Sequence, residues 1–247
     1  MMEMRSEDRA RARRMAATVL AVVVLLALAI VVVPGWRRSA IDAALGRATV
    51  EERLAQLEAV VPGMLPRFER TEVEYPPKCL LFAAFKDRRR FELYAGPSPD
   101  ELGFVRAYPI IGASGGPGPK LVRGDQQVPE GCYRVAGLNP NSRYHLSIEL
   151  DYPNADDQRH AEADGRDPGD EIFIHGGAAS VGCLAMGDAA IEELFYFTGL
   201  VDIEHVEVVI APSDPRAGAL IPPEGSPSWL ADRYARITER IMPLVVR

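Results

Sequence analysis

In the segment EIFIHGGAASVGCLAMGD (171–188), His175 and Cys183 stand eight residues apart on either side of a run of small residues. A free thiol has a pKa of about 8.5, so it is mostly protonated at neutral pH, and only the thiolate attacks well. An imidazole within reach takes that proton, and the resulting ion pair can attack a carbonyl carbon. The tetrahedral oxyanion then needs donors, which backbone N–H groups at Cys183 and its neighbours are expected to supply. Gly176, Gly177, Ala178, Ala179, Ser180 and Gly182 permit a tight loop that folds the cysteine back toward the histidine. Glycine in particular admits backbone angles and close approach that other residues forbid. Gly182 keeps bulk out of a substrate's path, and Ser180 is near enough in sequence to hydrogen-bond the imidazole or the loop backbone. The same residues also allow a structural reading, in which the cysteine is a small buried hydrophobe and the histidine is simply satisfied at a strand end.

These side chains need a rigid frame, and the pattern around them is that of short strands. CLLFAAF (79–85) is an apolar run suited to a buried strand, and FELYA (91–95) follows a charged turn at Lys86–Arg90. FVRAYPII (104–111), CYRVA (132–136), YHLSIEL (144–150), EIFIH (171–175) and HVEVVIA (205–211) are further strand candidates. YHLSIEL alternates, with Tyr144, Leu146, Ile148 and Leu150 on one face and His145, Ser147 and Glu149 on the other. Helical spacing appears over 39–61, ended by Pro62-Gly63, as a stalk or a helix packed on the body. It appears again over 189–199, with Asp188 as N-cap and Gly199 as stop, and over 228–241. Two segments read as long loops, Gly112–Gly131 and the acidic Pro153–Gly169; such loops on a β scaffold often form binding surfaces. The body is therefore mainly β with a few helices, an α+β domain.

Ahead of the body, Ala16 to Val33 is an uncharged stretch of 18 residues, the lower end of what spans a bilayer. Arg9, Arg11, Arg13 and Arg14 precede it, which by the positive-inside rule keeps the N-terminus in the cytoplasm and sends the body across. A cleaved signal peptide is the rival, but no A-x-A site follows Val33. The expected order is a cytoplasmic N-terminus (1–15), a transmembrane anchor (16–33) and a helical stalk or linker (34–75). A catalytic domain (76–212) and a C-terminal extension with a helix (213–247) follow. The chain carries a net charge of −7, but residues 1–38 hold seven arginines and only three acids, which leaves the rest at −11. So acidic a body lacks the basic face that phosphate neutralisation requires, and nucleic acid is excluded as a partner. Three cysteines leave at least one thiol unpaired; a Cys79–Cys132 disulfide is the one pairing considered, against ordinary strand residues. With no C-x-x-C, H-x-x-x-H or H-x-x-x-D spacing, neither a metal site nor a cofactor is expected.

The His175–Cys183 segment resembles the signature of the L,D-transpeptidase (YkuD-like) catalytic domain family, in which an H-G step precedes S-x-G-C. GPKLVRGDQQVPEGCYRV (118–135) is similar to the family's G-P-K…G-D…T-P-E-G-x-Y stretch, with Val128 in place of threonine. LNPNSRYHLSIELDYPN (138–154) and the tail C-L-A-M-G-D resemble the short-spacing subgroup that includes the enterobacterial amidase releasing lipoprotein from peptidoglycan. The likeness covers residues 79–211 and three motifs in order. It implies a β-sandwich with mixed sheets and peripheral helices. It places Cys183 at the nucleophile, His175 at the proton acceptor, and Ser180, Gly182 and Gly176 in supporting and oxyanion positions. Lys120, Arg123, Asn141, Arg143 and His145 become candidates for contacting the carboxylates of peptidoglycan stems.

The implied reaction is attack on the diaminopimelate carbonyl of a stem peptide, a thioester, and transfer to an amine. The alternative is hydrolysis at diaminopimelate, releasing D-alanine or an attached envelope protein. A non-catalytic peptidoglycan-binding module would be expected to lack Cys183 or His175. The implied place is the cytoplasmic membrane, single-pass, with the catalytic domain outside it. Val181 stands where a second histidine is usual, and Leu184, Ala185 and Met186 where an arginine or asparagine often follows. Those departures bear on the acyl acceptor.

Overall fold

The computed structural model describes residues 46–71 and 73–246. CLLFAAF forms β1 (Cys79–Phe85), buried along its whole length, because helices cover both faces of the sheet it centres. β2 (Arg90–Ser98) and β3 (Glu101–Pro109) follow as antiparallel neighbours. β4 (Gly131–Ser142), β5 (His145–Leu150), β6 (Phe173–His175), β7 (Leu184–Ala185) and β8 (Val206–Ala211) complete one mixed array in the order β3-β2-β1-β8-β4-β5-β6-β7. β1 and β8 run parallel, as do β6 and β7; the other pairs are antiparallel.

β4 joins the two halves. Its residues 131–134 pair with β8, and from Val135 onward it pairs with β5, with a register shift between Val135 and Gly137. Such an irregularity bends a strand and strengthens its twist. The mixed strands and peripheral helices match expectation, but they form one hydrogen-bonded sheet turning at β4, faced by helices.

Among the described residues five helices face it: α1 (Val50–Leu57), α2 (Val61–Arg70), α3 (Ala155–Ala163), α4 (Asp188–Val201) and α5 (Leu230–Ile241). On one side Leu80, Phe82 and Ala84 of β1 meet Ile191, Leu194 and Phe195 of α4, with Met64 and Phe68 of α2 in the same core. On the other side Leu81, Ala83 and Phe85 meet Leu230, Tyr234, Ile237 and Ile241 of α5, the helix expected over 228–241.

Three expectations are corrected. Pro62-Gly63 does not end the first helical region; a 3-10 turn at Glu58–Val60 leads into α2, which runs to Arg70. Pro62 falls in the first turn of α2, where its missing N–H has no intrahelical partner to lose. Gly199 does not stop α4, which reaches Val201; a Cβ there would lie 2.6 Å from Leu54, so the glycine lets α1 approach. The loop expected over Pro153–Gly169 contains α3, nucleated by a capping box between Asn154 and Asp157.

Val50–Arg247 clusters as one unit, apart from Met1–Thr49. Among the described residues no helix is long and apolar enough to cross a membrane. The expected anchor at 16–33 and the start of the helix expected from 39 lie outside them.

Candidate active site

β6 and β7 place His175 and Cys183 on neighbouring strands. Ile174 pairs with Leu184 and His175 with Ala185 in parallel register, so Cys183, just before β7, lies level with Phe173 at the start of β6 and two positions short of His175. The loop between them is pinned at several points. Met186 N–H donates to His175 O (2.8 Å) and Gly187 N–H to Gly177 O (2.9 Å). Ala185 N–H donates to Gly112 O (2.8 Å), which seals the outer edge of β7. Gly112 is required there, since a Cβ would lie 2.2 Å from the Ala178 carbonyl oxygen.

His175 is 2% exposed. Its Nδ1 lies 2.6 Å from the Gly176 carbonyl oxygen, which can only accept, so Nδ1 carries the proton and Nε2 keeps its lone pair. The Tyr144 ring covers the imidazole at 4.6 Å between centroids. Burial disfavours the imidazolium and holds the His175 pKa below its ordinary value, against a smaller upward pull from Gly176 O. Burial likewise pushes the Cys183 thiol up; the Phe173 amide and the distant Lys120 charge pull it down, and the Glu171 carboxylate adds to the rise. At neutral pH the pair therefore rests as thiol and neutral imidazole. The Cys183 sulfur has the Glu171 carbonyl as its hydrogen-bond partner, at 3.9 Å. In an unliganded site such hydrogen bonds are often unmade until substrate is present.

Ser180 braces the nucleophile's backbone. Its Oγ donates to Cys183 O (2.5 Å) and accepts from Cys183 N–H (3.1 Å). Gly182, at φ +90°, donates its N–H to Ser114 Oγ (2.6 Å), and Ser114 in turn donates to Gln126 O (2.7 Å). In this unliganded site the Gly182 and Cys183 amides, two of the expected oxyanion donors, are engaged by serine hydroxyls. Gly176 has its N–H in a bond to Leu146 O (3.1 Å), and its contribution is space: a Cβ would lie 2.5 Å from Tyr144 O.

The suspected polar residues separate. Lys120 is buried and donates to Asp125 Oδ1 (2.7 Å) and Val122 O (3.0 Å), so it shapes its own loop and reaches Cys183 only through its charge. Arg123 is exposed and bridges Asp167 (2.7 Å) and Asp170 (2.8 Å), tying two loops. Asn141 sits near the end of β4, with its N–H on Asn139 Oδ1. Arg143 is exposed in the turn from β4 to β5. His145, at φ +74°, meets Glu192 Oε1 at 2.7 Å.

Four residues near the pair escaped the sequence pattern. The alternation puts Tyr144 on the face of Leu146, Ile148 and Leu150, yet the positive φ at His145 breaks it and leaves Tyr144 exposed over His175. Asp188 does not cap α4; its Oδ1 accepts Gly177 N–H (2.8 Å). Ser114 and Glu171 had no sequence signal. The disulfide alternative is also corrected: all three cysteines are free, and β8 lies between the strands carrying Cys79 and Cys132. Two strand spacings of about 4.8 Å exceed disulfide reach. Among the described residues no group of three His, Cys, Asp or Glu could hold a metal ion.

Ser114→Ala removes the hydroxyl joining Gly182 N–H to Gln126 O, leaving two backbone groups without partners. A loss of about 1–2 kcal/mol is expected, together with a drop in turnover because the cysteine loop is no longer clamped. A thermal melt and initial rates measured on the same sample check both effects.

Residues 87–210 match the YkuD family, the L,D-transpeptidase catalytic domain. A protein of Escherichia coli K12 named "Putative L,D-transpeptidase YafK" is 38% identical over 115 residues, 46% of this chain and 44% of the relative, so the match spans under half of that protein. Among solved structures, the helical cell shape determining protein Pgp2 of Campylobacter jejuni gives a TM-score of 0.44 at 19% identity, covering 67% of this chain and 56% of that one. Bd1075 of Bdellovibrio bacteriovorus gives 0.42 at 16%, covering 68% and 57%.

Proposed function

The chain belongs to the L,D-transpeptidase catalytic domain family, and from that premise we propose that it is a cysteine acyltransferase acting on peptidoglycan stem peptides. The observation that carries the reading is the fixed tautomer of His175, with Nε2 free as a base on the strand beside Cys183. Substrate binding turns the thiol from the Glu171 carbonyl toward that nitrogen. His175 Nε2 takes the thiol proton as sulfur attacks the diaminopimelate carbonyl. Collapse of the tetrahedral adduct forms the thioester and expels the terminal D-alanine amine, which receives the proton from the imidazolium. An amine then attacks the thioester, gives up its proton to His175, and leaves an amide and the free thiol.

Water in place of the amine makes the same site an amidase or carboxypeptidase. Leu184, Ala185 and Met186 are buried, so the residues following the nucleophile present no polar side chain to an acceptor, while Val181 beside it is 73% exposed. We place the domain outside the cytoplasmic membrane on a single anchor at residues 16–33.

The test is incubation of the full chain with tetrapeptide muropeptides and with protein-linked muropeptides. Crosslinked dimers indicate transfer; released tripeptide or protein indicates hydrolysis; no product from either substrate refutes the enzyme. The pH profile is a separate check. His175 must be neutral to act, so activity is present above its depressed pKa and is lost as pH falls through it. The acid limb of kcat/KM is therefore expected below about 6.5, and the raised thiol pKa leaves a plateau across neutrality. An acid limb at or above 7 contradicts this assignment.

A further inference from the structure

A second built feature lies where the β1–β2 turn meets the C-terminal tail. A cleft of about 900 Å³ opens there, with Arg88, Arg89 and Arg90 on one wall and Val245 and Val246 on the other. The turn is held rather than loose: Lys86 N–H donates to Ala211 O, Asp87 N–H to Pro212 O, and Ile110 N–H to Arg89 O (2.7 Å). The opposite wall is fixed by Arg216, which binds Asp214, Glu92 and Tyr94 and also donates to Leu244 O (3.3 Å).

The acids of the cleft are consumed by that network, since Glu92 and Asp214 pair with Arg216 and Glu92 also takes Arg90. Arg88 has Asp87 at 3.8 Å and its charge also helps hold the Asp214 carboxyl down, while Arg89 has no ion pair among the described residues. Four arginines against the two acids Glu92 and Asp214 leave the cleft lining with a positive surplus in a body of net charge −11. Beside them in the cleft stand exposed apolar side chains, Val245 at 61% and Val246 at 43%. Cations next to unpartnered aliphatic groups match an amphipathic anion, with a phosphate for the arginines and a hydrocarbon region for the valines.

We propose that this cleft docks the body on the bilayer surface by binding anionic phospholipid, the headgroup phosphate on Arg88 and Arg89 and the acyl region against Val245 and Val246. The anchor alone does not choose which face meets the lipid. Residues 34–49 are 16 in number and reach at most about 55 Å when extended, so a surface contact is needed to orient the domain. The inference does not depend on the chemistry at Cys183.

The test uses the full chain in phosphatidylcholine nanodiscs, with and without phosphatidylglycerol, read by amide hydrogen exchange. Exchange over residues 86–90 and 242–246 is expected to slow at least about tenfold in anionic discs, and salt should reverse it. Arg88→Glu with Arg89→Glu should abolish the protection while leaving β1 and β2 amides unchanged, which shows that the variant is folded. Val245→Ser with Val246→Ser should weaken it while the charges remain. Equal exchange in both discs, or protection that survives charge reversal, overturns the proposal. So does equal protection in neutral discs by inorganic phosphate or by a soluble peptidoglycan fragment, which would assign the cleft to free phosphate or to the wall polymer. A chain that associates with anionic discs alone overturns the anchor and keeps the cleft.

Discussion

Cys183→Ala is expected to eliminate the acyl-enzyme and reduce product formation by about a thousandfold or more, because no other group in the site can form the thioester. Intact-protein mass spectrometry after mixing with a tetrapeptide muropeptide should show a covalent adduct on the native chain and none on the variant. The other thiols cannot substitute. Cys79 is buried and donates to the Gly96 carbonyl, and burial pushes the Cys132 thiol up to about 11. The loss will also not be a folding artefact, since Ser180 braces the backbone N–H and carbonyl of residue 183 and leaves its side chain out of the brace. The variant should melt with the native chain. Equal product from both proteins would remove the thiol mechanism altogether. His175→Ala should be comparably inactive while still alkylating at Cys183 at high pH, where the thiol ionises without help.

That Cys183 and His175 stood out in the sequence has a physical reason. Nucleophile and base are named by residue type, and the glycines between them mark a loop that must be tight. β1 was equally legible, because a strand covered on both faces reads as an unbroken apolar run. What was hidden depends on partners far along the chain. β7 is two residues long, too short for any period, and exists because β6 and Gly112 hold it on either side. Gly199 resembles a helix stop in isolation; only the approach of Leu54 shows why it lies inside α4. The capping box of α3 was present as Asn154 and Asp157 but was masked by the acidic, glycine-flanked composition around it. The partners of the candidate oxyanion donors were hidden for the same kind of reason. The amides of Gly182 and Cys183 occupy the expected place, yet Ser114, 68 residues before Gly182, takes one of them. Tyr144 followed the alternation of its strand only until the positive φ of His145 reversed it.

Glu130 of the P-E-G segment has an expected effect of comparable size, on stability. Its carboxylate is fully buried and accepts Lys86 Nζ (2.9 Å), Gly118 N–H (3.0 Å) and Tyr234 OH (2.7 Å). Lys86 completes its donors on the carbonyls of Gly118 (2.8 Å) and Val128 (2.9 Å). One buried ion pair therefore joins the β1–β2 turn, both ends of the 112–131 loop and α5. Glu130→Ala leaves Lys86 charged and uncompensated in the interior, and a loss of about 3–5 kcal/mol is expected, a large part of a domain's total stability.

The sign of the pH dependence identifies the cause. Burial already holds the Lys86 pKa below its ordinary value, and Glu130 is the main opposing influence. Without it the folded-state pKa falls further, so the native state binds fewer protons than the unfolded chain. The variant should then regain stability as pH rises toward about 10, over a wider pH window and by more than the native chain, whose Lys86 is depressed less. Lys86→Met combined with Glu130→Leu removes both charges and should recover much of the loss, because replacing a whole buried pair with apolar groups is often near neutral. Denaturant melts of the three proteins at two pH values decide the matter; a single variant as stable as the native chain would show the pair to be dispensable. Activity then separates hold from stability. The double variant still lacks the carboxylate that grips Gly118, so the loop carrying Ser114 stays loosened and Gly182 loses its clamp. Its turnover should remain low at a temperature where it is fully folded.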